Sequence, residues 1–159
     1  MPADKLPEEG LIVVSACLAG LATTHNGKAK PHPKVLELLR EGRAVLVCPE
    51  QLGGLPTPRA EAEIEPGGSG AKVLSGEARV LDSNGNDVTT QYLRGAREAL
   101  RAARLSGAGA AILKARSPSC GSGLIYDGEF SGTLVEGEGV TAALLRKKGL
   151  TVLTEEDLG

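Results

Sequence analysis

Aromatic residues are almost missing from this 159-residue chain: it has no tryptophan, and Tyr92, Tyr126 and Phe130 are its only rings. A surface that stacks many bases needs more than that, so the core is expected to be built from Leu, Val, Ile and Ala. Net charge is missing too. At −2, the balance gives no bulk basicity to argue for nucleic acid. No apolar run approaches the length of a bilayer span, so no membrane partner is expected. The first ten residues are polar and carry Pro2 and Pro7, unlike a signal peptide, and the cytoplasm is the expected compartment. Cysteine is scarce and odd in number, at three, which argues against a disulfide framework. There is no internal repeat and no long linker. A single domain over 1–159 is expected, with 1–10 as a flexible N-terminal tail.

What is present is a series of short apolar runs. Residues 11–16, 44–47, 110–115 and 150–153 are apolar with little alternation, which suggests strands covered on both faces, as in a parallel sheet. A short helix is expected around Val35–Leu39, after Pro31 and Pro33 and before Gly42. The longest helix is expected over roughly 90–106, capped by Thr89 and stopped by Gly107, and a last one over 140–148. In the long helix Leu93, Ala96, Leu100 and Ala103 share a face that should meet the sheet. Arg94, Arg97, Arg101 and Arg104 fall on another, read as a solvated surface ahead of an RNA-tracking stripe.

Residues 48–59 are rich in Gly and Pro, too irregular for a regular element and too long for an idle connector. Alternation at 60–64 suggests an edge strand, with further short strands at Val73-Leu74 and 78–81 and a tight turn at Asn84-Gly85. Gly67-Gly68-Ser69-Gly70 reads as a flexible surface tip. Residues 123–128 read as loop with a short extended piece, followed by a flexible segment at Gly132, Gly137 and Gly139. The fold class expected is α/β: a mainly parallel Rossmann-like sheet flanked by helices, with a small antiparallel β excursion.

Each cysteine lies at or just beyond the end of an expected strand: Cys17, Cys48 and, in Ser117-Pro118-Ser119-Cys120-Gly121-Ser122, Cys120. An open parallel sheet binds ligands beyond the carboxyl ends of its strands, so the fold itself would gather the three thiols. Read one at a time, each is a small buried hydrophobe. Read together, they suit two metals. Zinc with three protein ligands and a water gives a hydrolytic site. A [4Fe-4S] cluster normally takes four cysteines, and with three it leaves an iron open to a soft sulfur donor. The residues alone leave both open.

Three stretches carry a resemblance to a known family: Val14-Ser15-Ala16-Cys17-Leu18-Ala19-Gly20; the run from Val47-Cys48-Pro49-Glu50-Gln51 to Pro56-Thr57-Pro58-Arg59; and Ile112-Leu113-Lys114-Ala115-Arg116-Ser117-Pro118-Ser119-Cys120-Gly121. With Asp87-Val88-Thr89, Tyr126-Asp127-Gly128 and the run from Gly137 to Leu145, the chain closely resembles the thiouracil desulfidase family (domain of unknown function 523) from Leu11 onwards.

The resemblance implies a non-redox desulfuration on a [4Fe-4S] cluster held by Cys17, Cys48 and Cys120, in which water replaces the sulfur of a thiolated pyrimidine base or nucleoside. The acid/base residue expected is Glu50, ahead of its reading as a solvated loop carboxylate. Ser117 and Ser119 are candidates to bond the substrate or a cluster sulfur, or to satisfy their own turn. Arg59 either holds the substrate carbonyl or pairs with Glu61 or Glu63, and Lys114 and Arg116 either bind a phosphate or offset the cluster's charge. Many relatives have Cys-Arg-Tyr-Asp-Gly where this chain has Thr23-Thr24-His25-Asn26-Gly27, which leaves His25 as a candidate substrate contact. The competing readings are a three-cysteine zinc hydrolase and a non-catalytic module for thiolated RNA.

Overall fold

The computed structural model describes residues 6–159; residues 1–5 of the expected tail lie outside them. Four strands, β1 (Ile12–Ser15), β2 (Ala44–Val47), β5 (Ala110–Leu113) and β8 (Thr151–Thr154), form one sheet in the order β2-β1-β5-β8. All its pairings are parallel, with Ile12 level with Ala44 and Ala110, and Ala110 level with Thr151. The chain therefore folds as the expected α/β domain with a parallel sheet flanked by helices.

The lack of alternation in the apolar runs has a direct cause: both faces are covered. Val13, Ala111 and Leu113 pack against Ala99, Leu100 and Ala103 of α4 (Thr89–Ser106) and Ala142 and Leu145 of α5 (Val140–Lys147). Ile12, Val14, Ala110 and Ile112 pack against Val35 and Leu38 of α1 (Pro33–Arg40), and against Leu158 of a closing 3-10 turn (Glu155–Leu158). Side chains alternate between the faces, so the middle of each strand is apolar on both. The second half of the expected tail is held, since the Arg43 guanidinium donates to the Pro7 and Gly10 carbonyls and Leu6 packs on the α1 layer. Among the described residues no helix is long and apolar enough to cross a membrane.

The excursion between β2 and β5 differs in part from the expected one. β3 (Ala62–Ile64) pairs antiparallel with β4 (Val80–Asp82) as a separate two-stranded sheet and not as an edge of the main one. Gly67-Gly68-Ser69-Gly70 and Val73-Leu74 are not tip and strand. Ser69 caps a short helix, α3 (Gly70–Leu74), by accepting the Lys72 N–H. Gly70 is buried there because a Cβ would strike the Gly139 backbone, a close approach that only glycine permits. Thr89 is not the cap of α4 but its first residue: Asp87 accepts its N–H, and its own hydroxyl oxygen accepts the Val80 N–H. Residues 122–138, expected as loop and flexible segment, form an antiparallel hairpin of β6 (Ser122–Tyr126) and β7 (Leu134–Glu138). Its glycines masked a strand pattern that pairing imposes.

The run after Cys48 begins regularly, with α2 (Pro49–Leu52), a single turn started by Pro49. It sits on α4 backbone to backbone. A Cβ on Gly53 would strike the Gln91 carbonyl, and one on Gly95 would strike the Pro49 carbonyl.

Candidate metal centre and substrate cavity

The three strand exits meet at one cavity of about 490 Å³, lined by Cys17, Cys48 and Cys120. All three thiols are free; Cys17 and Cys120 are buried and Cys48 is half-buried. Cys17 belongs to the α1 layer of the core and Cys120 to the α4–α5 layer, so the site straddles the sheet at its carboxyl end, as the topology of an open parallel sheet requires. Ser15, the last residue of β1, joins the two sides. Its hydroxyl donates to the Cys120 Sγ at 3.5 Å and accepts the Lys114 N–H at 2.9 Å. Cys48 Sγ faces the Thr23 carbonyl at 3.8 Å.

Burial pushes the Cys17 thiol up to about 11, with Lys114 pulling the other way. Burial raises Cys48 and Cys120 too, and in both the Glu50 carboxylate adds to the rise. A thiol is hard to ionise in such a place unless a cation takes the proton's position. Among the described residues no three His, Cys, Asp or Glu side chains gather closely enough to grip a single metal ion. Zinc binds sulfur at about 2.3 Å and needs its ligands almost in contact, so the zinc reading finds no preformed site here. The three soft donors line one cavity without forming a tight metal cage, and thiolate is the donor that iron–sulfur clusters take.

Glu50, in the first turn of α2, lines the cavity and is largely buried beside the Arg59 guanidinium, 3.5 Å away. Arg59 was expected to pair with Glu61 or Glu63 if not with substrate; its carboxylate partner is Glu50. It also donates to the Thr23 carbonyl and the Thr57 hydroxyl. Lys114 lines the cavity with its ammonium 2.8 Å from Glu155, and Arg116 pairs with Glu156. The Glu155 carboxylate also accepts the Ala115 N–H at 2.7 Å, so the 3-10 turn after β8 clamps the exit of β5.

The two serines part company. Ser117 lines the cavity, and its Oγ accepts the N–H groups of Ser119 and Cys120. Ser119 is 1 % exposed and bonds the Thr141 hydroxyl at 2.7 Å, away from the cavity lining. Its hydroxyl ties the loop to Thr141 of α5, so Ser117 is the serine on the cavity wall. The Pro118 and Ser119 carbonyls accept first-turn N–H groups of α5, donors a helix start leaves without partners of its own. His25 lies on the cavity wall paired with Glu61 at 3.2 Å. The α4 arginines, Arg94, Arg97, Arg101 and Arg104, are all exposed.

Sequence reasoning missed Ser15, Glu155, Glu63 and the rings. Tyr92, Tyr126 and Phe130, every aromatic residue of the chain, line this one cavity. Tyr92 is 4 % exposed, and burial drives its hydroxyl well above its ordinary value, with Glu50 and Arg59 as neighbours. The scarcity of rings was itself the available signal, because residues so rare are placed for a reason.

A family profile described as 2-thiouracil desulfurase matches residues 12–157. The chain is 48 % identical over 148 residues to YbbK of Bacillus subtilis (strain 168), a protein described as uncharacterized, spanning 93 % of this chain and 97 % of that one. It is similar to the solved structure of TudS, described as a [4Fe-4S]-dependent thiouracil desulfidase. That match has 43 % identity and a TM-score of 0.83, covering 94 % of this chain and 93 % of that one.

Proposed function

The chain belongs to the 2-thiouracil desulfurase family, and we propose that it converts thiouracil-type pyrimidines, as free bases or nucleosides, to their oxo forms, using a [4Fe-4S] cluster held by Cys17, Cys48 and Cys120. The observation that carries this reading is the meeting of three free thiols from separate strand exits at one cavity that also holds a buried carboxylate. Its likeness to TudS, over nearly the whole length of both chains, supports the choice of cofactor. When bound, such a cluster supplies an iron with an open position, a Lewis acid for the substrate's sulfur.

The chain's own residues do the rest. Glu50 takes a proton from the attacking water, its carboxylate held in place by Arg59. Lys114, fixed by Glu155, sets a positive charge against the thiolates. Ser117 lines the cavity and gives its hydroxyl proton to a hydrogen bond with the substrate. His25, on the same wall, contacts the ring's edge. A carbon–oxygen bond forms and the carbon–sulfur bond breaks. The sulfur leaves as sulfide with the protons of water, and no oxidant or reductant is consumed.

Anaerobic reconstitution followed by incubation with 2-thiouracil tests the proposal. The expected protein is brown, with about four irons per chain, and it releases sulfide and uracil in equal amounts. A colourless protein with stoichiometric zinc, or a loaded protein that releases no sulfide, overturns it. Glu50→Gln is expected to keep its iron and lose about 10²- to 10⁴-fold in turnover, the range of a positioned acid/base group. Full activity in that variant removes Glu50 from the reaction.

A further inference from the structure

Phe130 is placed at a cost that folding does not explain. It is the chain's only phenylalanine, it is 39 % exposed, and it lines the cavity. Its φ is +54°, a left-handed conformation that is a clear outlier for a bulky residue. Such strain persists only where the surroundings enforce it, and it gathers at functional sites. Here the enforcement is visible. Glu63, 8 % exposed, accepts the Gly128 and Phe130 N–H groups on one carboxylate oxygen, at 2.9 and 3.2 Å. Gly128, at φ +92°, lies so close to the backbone of residues 64–66 that a Cβ would collide with it. A buried carboxylate and a glycine contact thus pin the tip of the hairpin to β3 and hold an exposed ring at the cavity wall. Tyr126, at the end of β6, lines the same cavity.

We propose that Phe130, with Tyr126 on the same cavity, is the stacking surface that recognises the flat face of a heteroaromatic thione, and that Glu63 is the residue that positions it. This rests on the desulfidase reading above and adds how the ring is selected. A pyrimidine is planar and presents a π-face to an aromatic side chain, and base–aromatic stacking is a substantial contribution per ring. In a chain with three rings in all, their concentration at this cavity selects for planarity. Polar groups of the same cavity, His25, Arg59 and Ser117, are left to read the ring's edge.

The test compares kcat and KM of the reconstituted enzyme and its variants on 2-thiouracil and on 5,6-dihydro-2-thiouracil, which keeps the thione but loses the flat aromatic face. Phe130→Leu is expected to raise KM for 2-thiouracil by roughly 5- to 150-fold, the range of one stacking contact, with kcat within about threefold. Phe130→Tyr should restore the wild-type value. Wild type should prefer the planar substrate, and Phe130→Leu should lose that preference. Glu63→Ala should raise KM similarly, and the double variant should be no worse than Phe130→Leu, as for residues acting as a unit. An unchanged KM in Phe130→Leu, or a planar preference that survives it, overturns the proposal while leaving the desulfidase reading intact. If the loaded wild type releases no sulfide, that reading fails, and equilibrium dialysis against unreacted 2-thiouracil decides this one. Retention by wild type and Phe130→Tyr but not by Phe130→Leu supports it; no retention, or equal retention, overturns it.

Discussion

The floor of the cavity and its wall are built on different principles. The floor consists of thiols on strand ends, held by main-chain pairing and by backbone contacts with almost no side chain between. Cys48 and Glu50 ride on a turn whose glycine, Gly53, meets Gln91 directly, while Pro49 meets Gly95. Cys120 follows a serine turn hydrogen-bonded to the start of α5. The wall consists of side chains: the His25–Glu61 pair, Arg59 and the ring of Phe130. The geometry of the floor belongs to the fold. The wall is partly solvated, and its geometry belongs to particular side chains. A change in the floor should therefore cost cofactor and stability together, whereas a change in the wall should alter substrate preference with the protein intact.

The sharpest way to break that contrast is Cys120→Ala. It should drop iron from about four per chain to well below one, abolish sulfide release and lower the urea midpoint, with the far-UV circular dichroism spectrum still that of the folded chain. A variant that stays loaded would mean the floor has another donor. Next comes Gly95→Ala. The added methyl must push α2 off α4, and overpacking of this kind costs about 1–3 kcal/mol, more than the ~1 kcal/mol of helix propensity that alanine brings. A urea titration should show that loss. Turnover should fall by about 10²-fold, as expected when catalytic groups are displaced by about 1 Å. Wild-type stability and activity would show that the glycine contact is incidental.

A smaller effect comes from pH in the metal-free protein. Cys17 holds its proton to about 11 against an ordinary thiol value of 9.0, chiefly through burial. The unfolded chain releases that proton first, so between those values the folded state binds more protons and stability falls as pH rises. This contribution is fully present below about pH 9 and gone above about pH 11. Urea midpoints across that window should decline, and less steeply in Cys17→Ala; a flat profile would mean the floor is wetter than its geometry implies. Smallest of all is Arg101→Ala on the outer face of α4. It loses only an exposed pair with Glu98, so stability should stay within about 0.5 kcal/mol, with turnover of a free base unchanged. A large loss of turnover would implicate the arginine face in the reaction.

The parallel sheet and the convergence of its thiols were legible because both follow from local pattern. Consecutive apolar residues at 11–14 and 110–113 demand two covered faces, and a cysteine after each run is carried to the same end. The place of Glu50 on the cavity was legible from its nearness to Cys48. The wall was not. Whether Arg59 meets Glu50 or Glu61, and whether Ser119 faces a cavity or Thr141, depends on where separate elements are brought together. No local pattern contains that information. The hairpin over 122–138 was hidden for a related reason: its glycines weaken strand propensity, and only pairing across the register from Ser122–Glu138 to Tyr126–Leu134 makes them a sheet. Gly67-Gly68-Ser69-Gly70 looked mobile because glycine serves both flexible tips and tight contacts, and Gly70 turned out to be the second kind.

The gathering of all three rings at one cavity has an optical consequence. With no tryptophan in the chain, the protein's own near-ultraviolet absorption and tyrosine emission arise entirely at the site, while the core beneath, aliphatic throughout apart from Tyr92, is silent in that region. Near-ultraviolet circular dichroism of this protein is therefore a report on the cavity wall and not on the sheet. A loss of that signal with the peptide bands intact would mark local rearrangement around the cavity, whereas global unfolding would change both.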